Sequence, residues 1–574
     1  MDAVETAEAE PKERGRFAAF QDRLLSVGPG GRALGAFLLY LAISVILYAA
    51  PILTRFSSRY VGVGRGDSNL FIWSLAWMPH ALSTLQNPLY SHDVWAPHGV
   101  DLSWMTNIPG PSLVMSPVTK LFGPLISYNV LLIVAPALAG WAAYLLCHRA
   151  TKAFWPSLAG GYLFGFSTYM VGEMHGHVFL VLVFPIALAV YLVVRRVEGT
   201  FGPVAFTVLI TVLLVAMYSI TTEEFATMVM FGGLALLVAF VFSSREVRGR
   251  LLRTAGLIVV AGGVAGIVLS PYLYDALRHV PPRTIRSATH GSADLLGFVV
   301  PRTSTWIGGH TMRNVSAHFT AGVVEDGSYL SIPLVIGLVV FAVMRRRDRA
   351  TWIMLSIAAV AVLLSLGPVL HVKGHQSVTL PEDVLTHLPV VKNVAPVRFA
   401  LYMWLAVAVA VAAWLALPGR LRWLRWAVVV LSAVLILPDV ASPPYHPPVR
   451  VPPFITDGLY RRYLSPGEIV LIVPYGKGGE MLWQADAEMY FRIPRGYIGP
   501  LPASYVDQPL ARNLATGLPS TIPAPFQLRT FLQLHQVDAI AVADPHPKAW
   551  DDLIRPIGGK SIHAGDVDLY RLSR

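Results

Sequence analysis

Apolar runs long enough to cross a bilayer recur along this chain, and short arginine-rich loops separate them. Eleven runs qualify, near residues 33–53, 124–146, 155–171, 178–194, 202–218, 225–243, 254–271, 329–344, 351–367, 399–417 and 424–438. A spanning helix needs about 20 apolar residues, fewer where flanking arginines snorkel. Helix is the expected spanning element, because an open strand would leave backbone groups unpaired in lipid. Composition agrees. Of 574 residues, 54% are apolar and 14% charged, against about 25% charged in a soluble domain. A water-soluble enzyme of this size is excluded. So is a disordered chain, which needs low hydrophobicity and high charge.

The arginines orient the runs. Five short loops carry Arg149 and Lys152; Arg195 and Arg196; Arg245, Arg248, Arg250 and Arg253; Arg345, Arg346, Arg347 and Arg349; and Arg420, Arg422 and Arg425. The two short loops on the other side, near 172–177 and 219–224, have no Lys or Arg. Basic residues collect on the cytoplasmic side, so the N-terminus is expected inside and the C-terminus outside. The same loops account for much of the net charge of +11. No basic stripe with interleaved aromatics occurs, so nucleic acid is not an expected partner. Residues 1–32 read as a cytoplasmic tail with no cleavage site, leaving the first run in the plasma membrane as a start-transfer helix. The single cysteine, Cys147, excludes a disulfide framework and a Cys-based metal site.

This polytopic α-helical reading places a transmembrane domain at 33–440, with large outer loops at 54–123, 272–328 and 368–398. A Pro-rich linker at 441–454 follows, expected to be extended and semi-rigid. Residues 455–574 have soluble composition. Ile469–Val473 and Ala539–Val542 read as buried strands and Arg529–Leu534 as a helix, giving a small extracytoplasmic α/β domain. In the first outer loop, Leu70–Leu85 carries Trp73 and Trp77 at helical spacing and is expected to lie in the membrane interface.

Charge at a membrane face marks candidate chemistry. Asp67 follows the first span within Gly64-Arg65-Gly66-Asp67-Ser68-Asn69 and could serve as a general base. Its bland alternative is a helix cap. Glu173, His175 and His177 sit where the third span exits and could bind substrate or ligate a divalent metal. Glu223 and Glu224 start the sixth span, where they also suit the helix dipole. Being adjacent, they point about 100° apart on a helix, one toward the bundle and one toward water. Asp275 ends the seventh span. Arg398 and Lys392 could hold a phosphate, a group that guanidinium forks onto. Arg283, Arg286 and Arg302 are further cationic candidates. No Walker, Gly-x-Ser-x-Gly or His-Glu-x-x-His motif occurs.

The layout resembles the GT-C superfamily of membrane glycosyltransferases. Several strings resemble those of bacterial GT-C-like and YfhO-type membrane proteins: Gly66-Asp67-Ser68-Asn69-Leu70-Phe71-Ile72-Trp73, Asn87-Pro88-Leu89-Tyr90, Gly176-His177, Ser292-Ala293-Asp294-Leu295-Leu296, Glu325 ahead of Ser328-Tyr329-Leu330, and Pro396-Val397-Arg398-Phe399. The resemblance implies transfer of a sugar from a polyprenyl-phosphate donor to an envelope glycan, lipid or protein acceptor at the outer face. It implies Asp67 as the catalytic carboxylate, with Glu223 and Glu224 as further catalytic candidates. Arg398, Lys392, His175, His177, Glu173, Arg302 and Trp73 would be the substrate-binding set. Many members carry a paired acidic motif in the first loop, whereas Asp67 stands alone beside Ser68. A transporter or flippase, or a non-catalytic envelope scaffold, remains the competing class.

Overall fold

The computed structural model describes residues 28–64, 66–279, 291–308, 312–322, 325, 327–387, 393–440, 445–474, 478–498, 525–546 and 548–572. Lys392, Arg283 and Arg286 lie outside them. In chain order the first helices are α1 (Pro29–Ser44), continued by short π and 3-10 turns to Arg55, α2 (Asp67–Ser83), α3 (Pro109–Phe122), α4 (Pro124–Thr151), α5 (Phe154–Gly165), α6 (Thr168–Glu173) and α7 (Val178–Val181). There follow α8 (Phe184–Val197), α9 (Pro203–Ile220), α10 (Thr222–Phe242), α11 (Arg245–Val268), α12 (Ser270–Arg278), α13 (Ile332–Met344), α14 (Arg349–Ser365), α15 (Ala400–Ala416) and α16 (Arg422–Leu435).

Seven helical stretches among the described residues are long and apolar enough to cross a membrane: Pro29–Arg55, Pro124–Thr151, Val178–Val197, Pro203–Ile220, Thr222–Phe242, Arg245–Val268 and Pro396–Ala416. The other four expected spans fall on α5, α13, α14 and α16. These have 12, 13, 17 and 14 residues. Thirteen residues reach about 20 Å, short of the roughly 30 Å hydrocarbon core. Helix α13 stops where Arg345, Arg346 and Arg347 begin.

Helix α4 is the central post, packed on α1, α5 and α8, and α15 packs on α5 and α14. Glycine makes the α4–α5 crossing close. A Cβ on Gly161 would lie 2.6 Å from the Gly140 carbonyl and 2.2 Å from the Tyr40 hydroxyl, so only bare backbone lets α5 approach α4 this closely. Helix α15 is buried along most of its length, while α10 and α11 are mostly partly or fully exposed, as lipid-facing helices are.

The C-terminal region forms one four-stranded sheet of β1 (Val470–Val473), β2 (Ala539–Ala543), β3 (Ile562–Ala564) and β4 (Val567–Arg571), in the order β1-β2-β4-β3. Strand β1 pairs parallel to β2, and both other pairings are antiparallel. The two parallel strands, β1 and β2, are continuous apolar runs, Val-Leu-Ile-Val and Ala-Ile-Ala-Val-Ala, buried along almost their whole length. Helices α17 (Gly479–Asp486), α18 (Pro525–Leu534) and α19 (Lys548–Gly558) accompany the sheet. The expected strands and helix are all present within a few residues.

Two expectations change. The aromatic stripe of α2 is not an open surface. Trp73 and Trp77 are buried, stacked 5.5 Å apart. Trp73 Nε1 donates to Gln484 Oε1 at 2.7 Å, and α17 packs directly on α2. The aromatic stripe that suggested a lipid surface is instead covered by the C-terminal region. The exposed apolar face in this loop belongs to α3, through Leu113, Val114, Leu121 and Phe122. The Pro-rich stretch is likewise no free spacer. Tyr445 is buried against Tyr48, Pro447 accepts from Tyr60 N at 3.2 Å, and Val449 N donates to Ser58 at 2.9 Å. Fixed φ angles make it extended, and pairing with residues 58–60 pins it.

Candidate functional site

Three short sequence segments converge where the loop between α1 and α2 meets the turn between α6 and α7. Gly62 has φ +94°, and a Cβ there would lie 2.8 Å from the Met174 carbonyl. Gly176 has φ +143°, and a Cβ there would strike Ser68 Oγ at 2.6 Å. Glycine at both positions lets the two turns touch, and Val63 N donates to His175 O at 2.9 Å. Ser68 is further held by Tyr128, and Asn69 by Tyr60, at 2.8 and 2.7 Å. The N-terminus of α2 is thereby fixed against the α6–α7 turn, and Asp67 is its first residue.

The first result is a line of three side chains. The Nδ1 of His177 lies 2.5 Å from Glu173 Oε2, and its Nε2 lies 3.3 Å from Asp67 Oδ2. Glu173 is buried, His177 is 13% exposed, and Asp67 is 35% exposed. Burial opposes the charge of His177, but the Glu173 and Asp67 carboxylates outweigh it and push the imidazole up to about 10. Burial also raises the Glu173 carboxyl, and His177 offsets part of that rise. The line therefore favours an imidazolium held between two carboxylates, with Asp67 the more exposed of the two.

The second result is a buried cation with two acidic partners. Arg398, in the turn Pro396–Phe399 that leads into α15, is 4% exposed. One guanidinium nitrogen lies 2.6 Å from both oxygens of Glu223, and the other 2.8 Å from Glu325 Oε1. The Arg398 Nε–H has no hydrogen-bond partner among the described residues. Thr168 Oγ1 and Trp404 Nε1 both donate to Gly327 O, at 3.0 Å each, and so anchor the segment that presents Glu325. Glu224 turns inward and is buried. Its carboxylate accepts from Thr227, whose hydroxyl also meets Tyr402 at 2.8 Å.

Phe179 joins the two groups. Its ring lies 6.1 Å from the His177 ring, 5.7 Å from the Arg398 guanidinium carbon and 5.4 Å from the Phe71 ring. Asp67, Glu173, His177, Glu223, Glu224 and Arg398 are thus brought to one end of the helix bundle. Glu325, to which the sequence reading assigned no role, completes the set. The signal for it was a carboxylate in an outer loop, but its partner is 73 residues away in the chain.

Other candidates sit elsewhere. His175 packs on Tyr445, with Nδ1 2.9 Å from the Gly172 carbonyl. Arg302 donates to Ala321 O at 2.8 Å and stacks over Phe319 at 5.0 Å. Trp73 has no exposed surface with which to meet a substrate. Asp275 stands with Asp101 and His279, a grouping that could hold a metal ion, as could Asp544, His546 and Asp568. The Glu173–His177–Asp67 line fits a shared ion poorly. The two carboxylates address opposite nitrogens of one imidazole, so the three present no common ligand point. A cavity of about 440 Å³, lined by Thr151, Arg345, Asp348 and Leu417, lies at the far end of α15, roughly 25 Å from Arg398 by helical rise.

The chain is thus a helical protein with membrane-crossing segments and a charged cluster at one end of its bundle. Residues 37–438 match the family model described as a domain of unknown function, DUF6311, and the chain belongs to that family. No curated protein matches it. Among solved structures, it is similar to the archaeal oligosaccharyltransferase AglB from Archaeoglobus fulgidus in complex with an inhibitory peptide and a dolichol-phosphate. Identity there is 12% and TM-score 0.42, over 89% of this chain and 69% of that one. The apo form of the Archaeoglobus fulgidus oligosaccharyltransferase gives 13% and 0.48 over the same shares. Its complex with Zn and sulfate gives 13% and 0.47, over 88% and 68%.

Proposed function

We propose that this chain is a glycosyltransferase of the outer membrane face. It takes a sugar from a polyprenyl-phosphate donor and passes it to an envelope glycan, lipid or protein acceptor. The observation that carries the reading is the Asp67–His177–Glu173 line, whose Asp67 end is partly exposed and whose Glu173 end is buried. In the reaction, the acceptor oxygen bonds to the anomeric carbon and the bond from that carbon to the phosphate oxygen breaks. The electron pair leaves on the phosphate, and the acceptor proton passes to Asp67. A phosphate is a good leaving group, so no strong general acid is required. The contact with His177 orients Asp67. The departing charge needs a fixed donor. Arg398 already meets two carboxylates, and its guanidinium is the donor group we assign to that phosphate. A transporter would place its charges near mid-membrane, whereas these gather at helix ends. Eleven membrane-embedded segments and a C-terminal region outside the cell belong to the same reading.

Donor class tests the function. Purified protein in nanodiscs, given labelled sugars on polyprenyl phosphate or on nucleotides, is expected to transfer only from the lipid-linked set. Transfer from nucleotides alone would refute the proposal. Orientation is tested separately. Cys147 is buried, so introduced cysteines report alone. Lys560→Cys in intact cells is expected to react with an impermeant maleimide, and Arg346→Cys only after lysis. The reverse pattern would invert the topology.

A further inference from the structure

We infer that the C-terminal region carries a site for one zinc-class divalent cation, built from Asp544, His546, His563 and Asp568. The sheet register assembles it. Asp568 on β4 stands opposite His563 on β3 and opposite Val542 on β2. Cross-strand partners share a face, as do residues two apart on one strand. Asp544 follows Val542 by two residues, and its N–H still donates to Asp566 O at 3.0 Å. It therefore emerges beside Asp568. His546 comes two residues later, and α19 presents Asp551 from its first turn.

The distances suit a shared ion. His563 Nδ1 lies 3.0 Å from Asp568 Oδ1 and 3.6 Å from Asp544 Oδ2. His546 Nδ1 lies 2.6 Å from Asp544 Oδ1, and its Nε2 lies 3.9 Å from Asp568 Oδ2. Asp544, His546 and Asp568 each offer one ligand atom within 4.8 Å of the other two. Zinc bonds of about 2.0–2.1 Å in a tetrahedron put ligand atoms about 3.3 Å apart, within the span of these separations.

His546 supplies the second, independent sign. Its side chain is 5% exposed. Its Nε2 is hydrogen-bonded to Asp551 Oδ1 at 3.2 Å. A carboxylate only accepts, so Nε2 carries the proton. Asp551 is held in turn by the Tyr570 hydroxyl at 2.8 Å. The other nitrogen, Nδ1, is buried and makes no hydrogen bond among the described residues, although Asp544 Oδ1 is close. A bare ring nitrogen facing a carboxylate oxygen sets lone pair against lone pair. A cation between them turns both atoms into ligands. A carboxylate orienting the far nitrogen of a ligating imidazole is the common outer support of such a site.

Two imidazoles and two carboxylates, with no thiolate, suit zinc or another first-row divalent ion, whereas magnesium and calcium take oxygen ligands. The two aspartate charges balance the ion. His563 is 63% exposed and Asp544 32%, so the ion enters from solvent. Once bound it cross-links β3, β4 and the segment after β2, with α19 held through Asp551. None of this depends on the transferase reading.

The metal itself is the probe. Full-length protein in nanodiscs is stripped with chelator and titrated with cobalt(II), zinc, magnesium and calcium. One equivalent of cobalt(II) is expected to bind with the visible d–d bands of a tetrahedral site, and zinc to displace it. His546→Ala and Asp568→Asn should each abolish the bands. Asp551→Asn should weaken binding about tenfold to hundredfold. Zinc should raise the melting temperature of wild type and leave that of His546→Ala unchanged. His279→Ala breaks the separate Asp101, Asp275 and His279 grouping and should leave the bands intact. His563→Gln, at an exposed position, should weaken binding and decides the matter if a buried variant does not fold. No cobalt or zinc binding, or binding of magnesium or calcium alone, would overturn the site and leave His546 as part of an ion pair. So would bands that survive His546→Ala or His563→Gln at full affinity, or that vanish in His279→Ala.

Discussion

Arg398→Met is expected to destabilise the protein by about 3–5 kcal/mol, the cost of breaking a buried ion pair by removing one partner. The guanidinium is 4% exposed, and Glu223 and Glu325 are 21% and 14% exposed. Removing the cation leaves two carboxylates facing each other with little water to screen them. Glu325 belongs to the segment between α12 and α13, Glu223 opens α10 and Arg398 precedes α15, so one residue ties three segments together. Melting of the purified protein in detergent measures the loss. The triple variant Arg398→Met, Glu223→Gln, Glu325→Gln should recover most of it, because no uncompensated charge remains. An Arg398→Met protein that melts with wild type would show that the triad is not a unit.

The helical architecture was legible because two signals repeat. Apolar runs mark segments near lipid, and arginines mark one set of their ends. Both are local in sequence, so neither depends on tertiary contacts. Span count was less legible, since α13 is apolar throughout yet only 13 residues long, and α16 has 14 residues with Arg422 and Arg425 in its first turn. Sequence shows where an apolar run is, but not where a cap or a bend cuts its helix.

Most of the candidate site could be read as well. Asp67, Glu173, His177, Glu223, Glu224 and Arg398 are costly charges beside apolar runs, and the fold gathers them. What sequence could not show was pairing. Glu325 resembles any loop carboxylate until the fold brings Arg398 to it. His175 and His177 look alike in sequence. One bonds backbone carbonyls behind Tyr445, and the other lies between two carboxylates. The Trp73 and Trp77 stripe suits a lipid interface and a protein interface equally, since both favour large amphipathic rings. The contact between Trp73 and Gln484, 411 residues apart, decided between them.

Asp67 carries the central claim, and Asn is the substitution that isolates it. Asparagine keeps the size and one acceptor oxygen, so the N-terminus of α2 can still pack on the α6–α7 turn. It cannot take a proton from an acceptor hydroxyl. General base catalysis contributes about 10²–10⁴-fold, and the loss on Asp67→Asn should fall in that range. The most direct measurement is therefore transfer of a labelled sugar from polyprenyl phosphate by purified protein in nanodiscs, wild type against Asp67→Asn, each first shown to melt at a comparable temperature. Turnover by wild type that falls at least a hundredfold in Asp67→Asn is the predicted result. Equal turnover by the two proteins would contradict the role of Asp67, and no turnover by wild type from any lipid-linked donor would contradict the function.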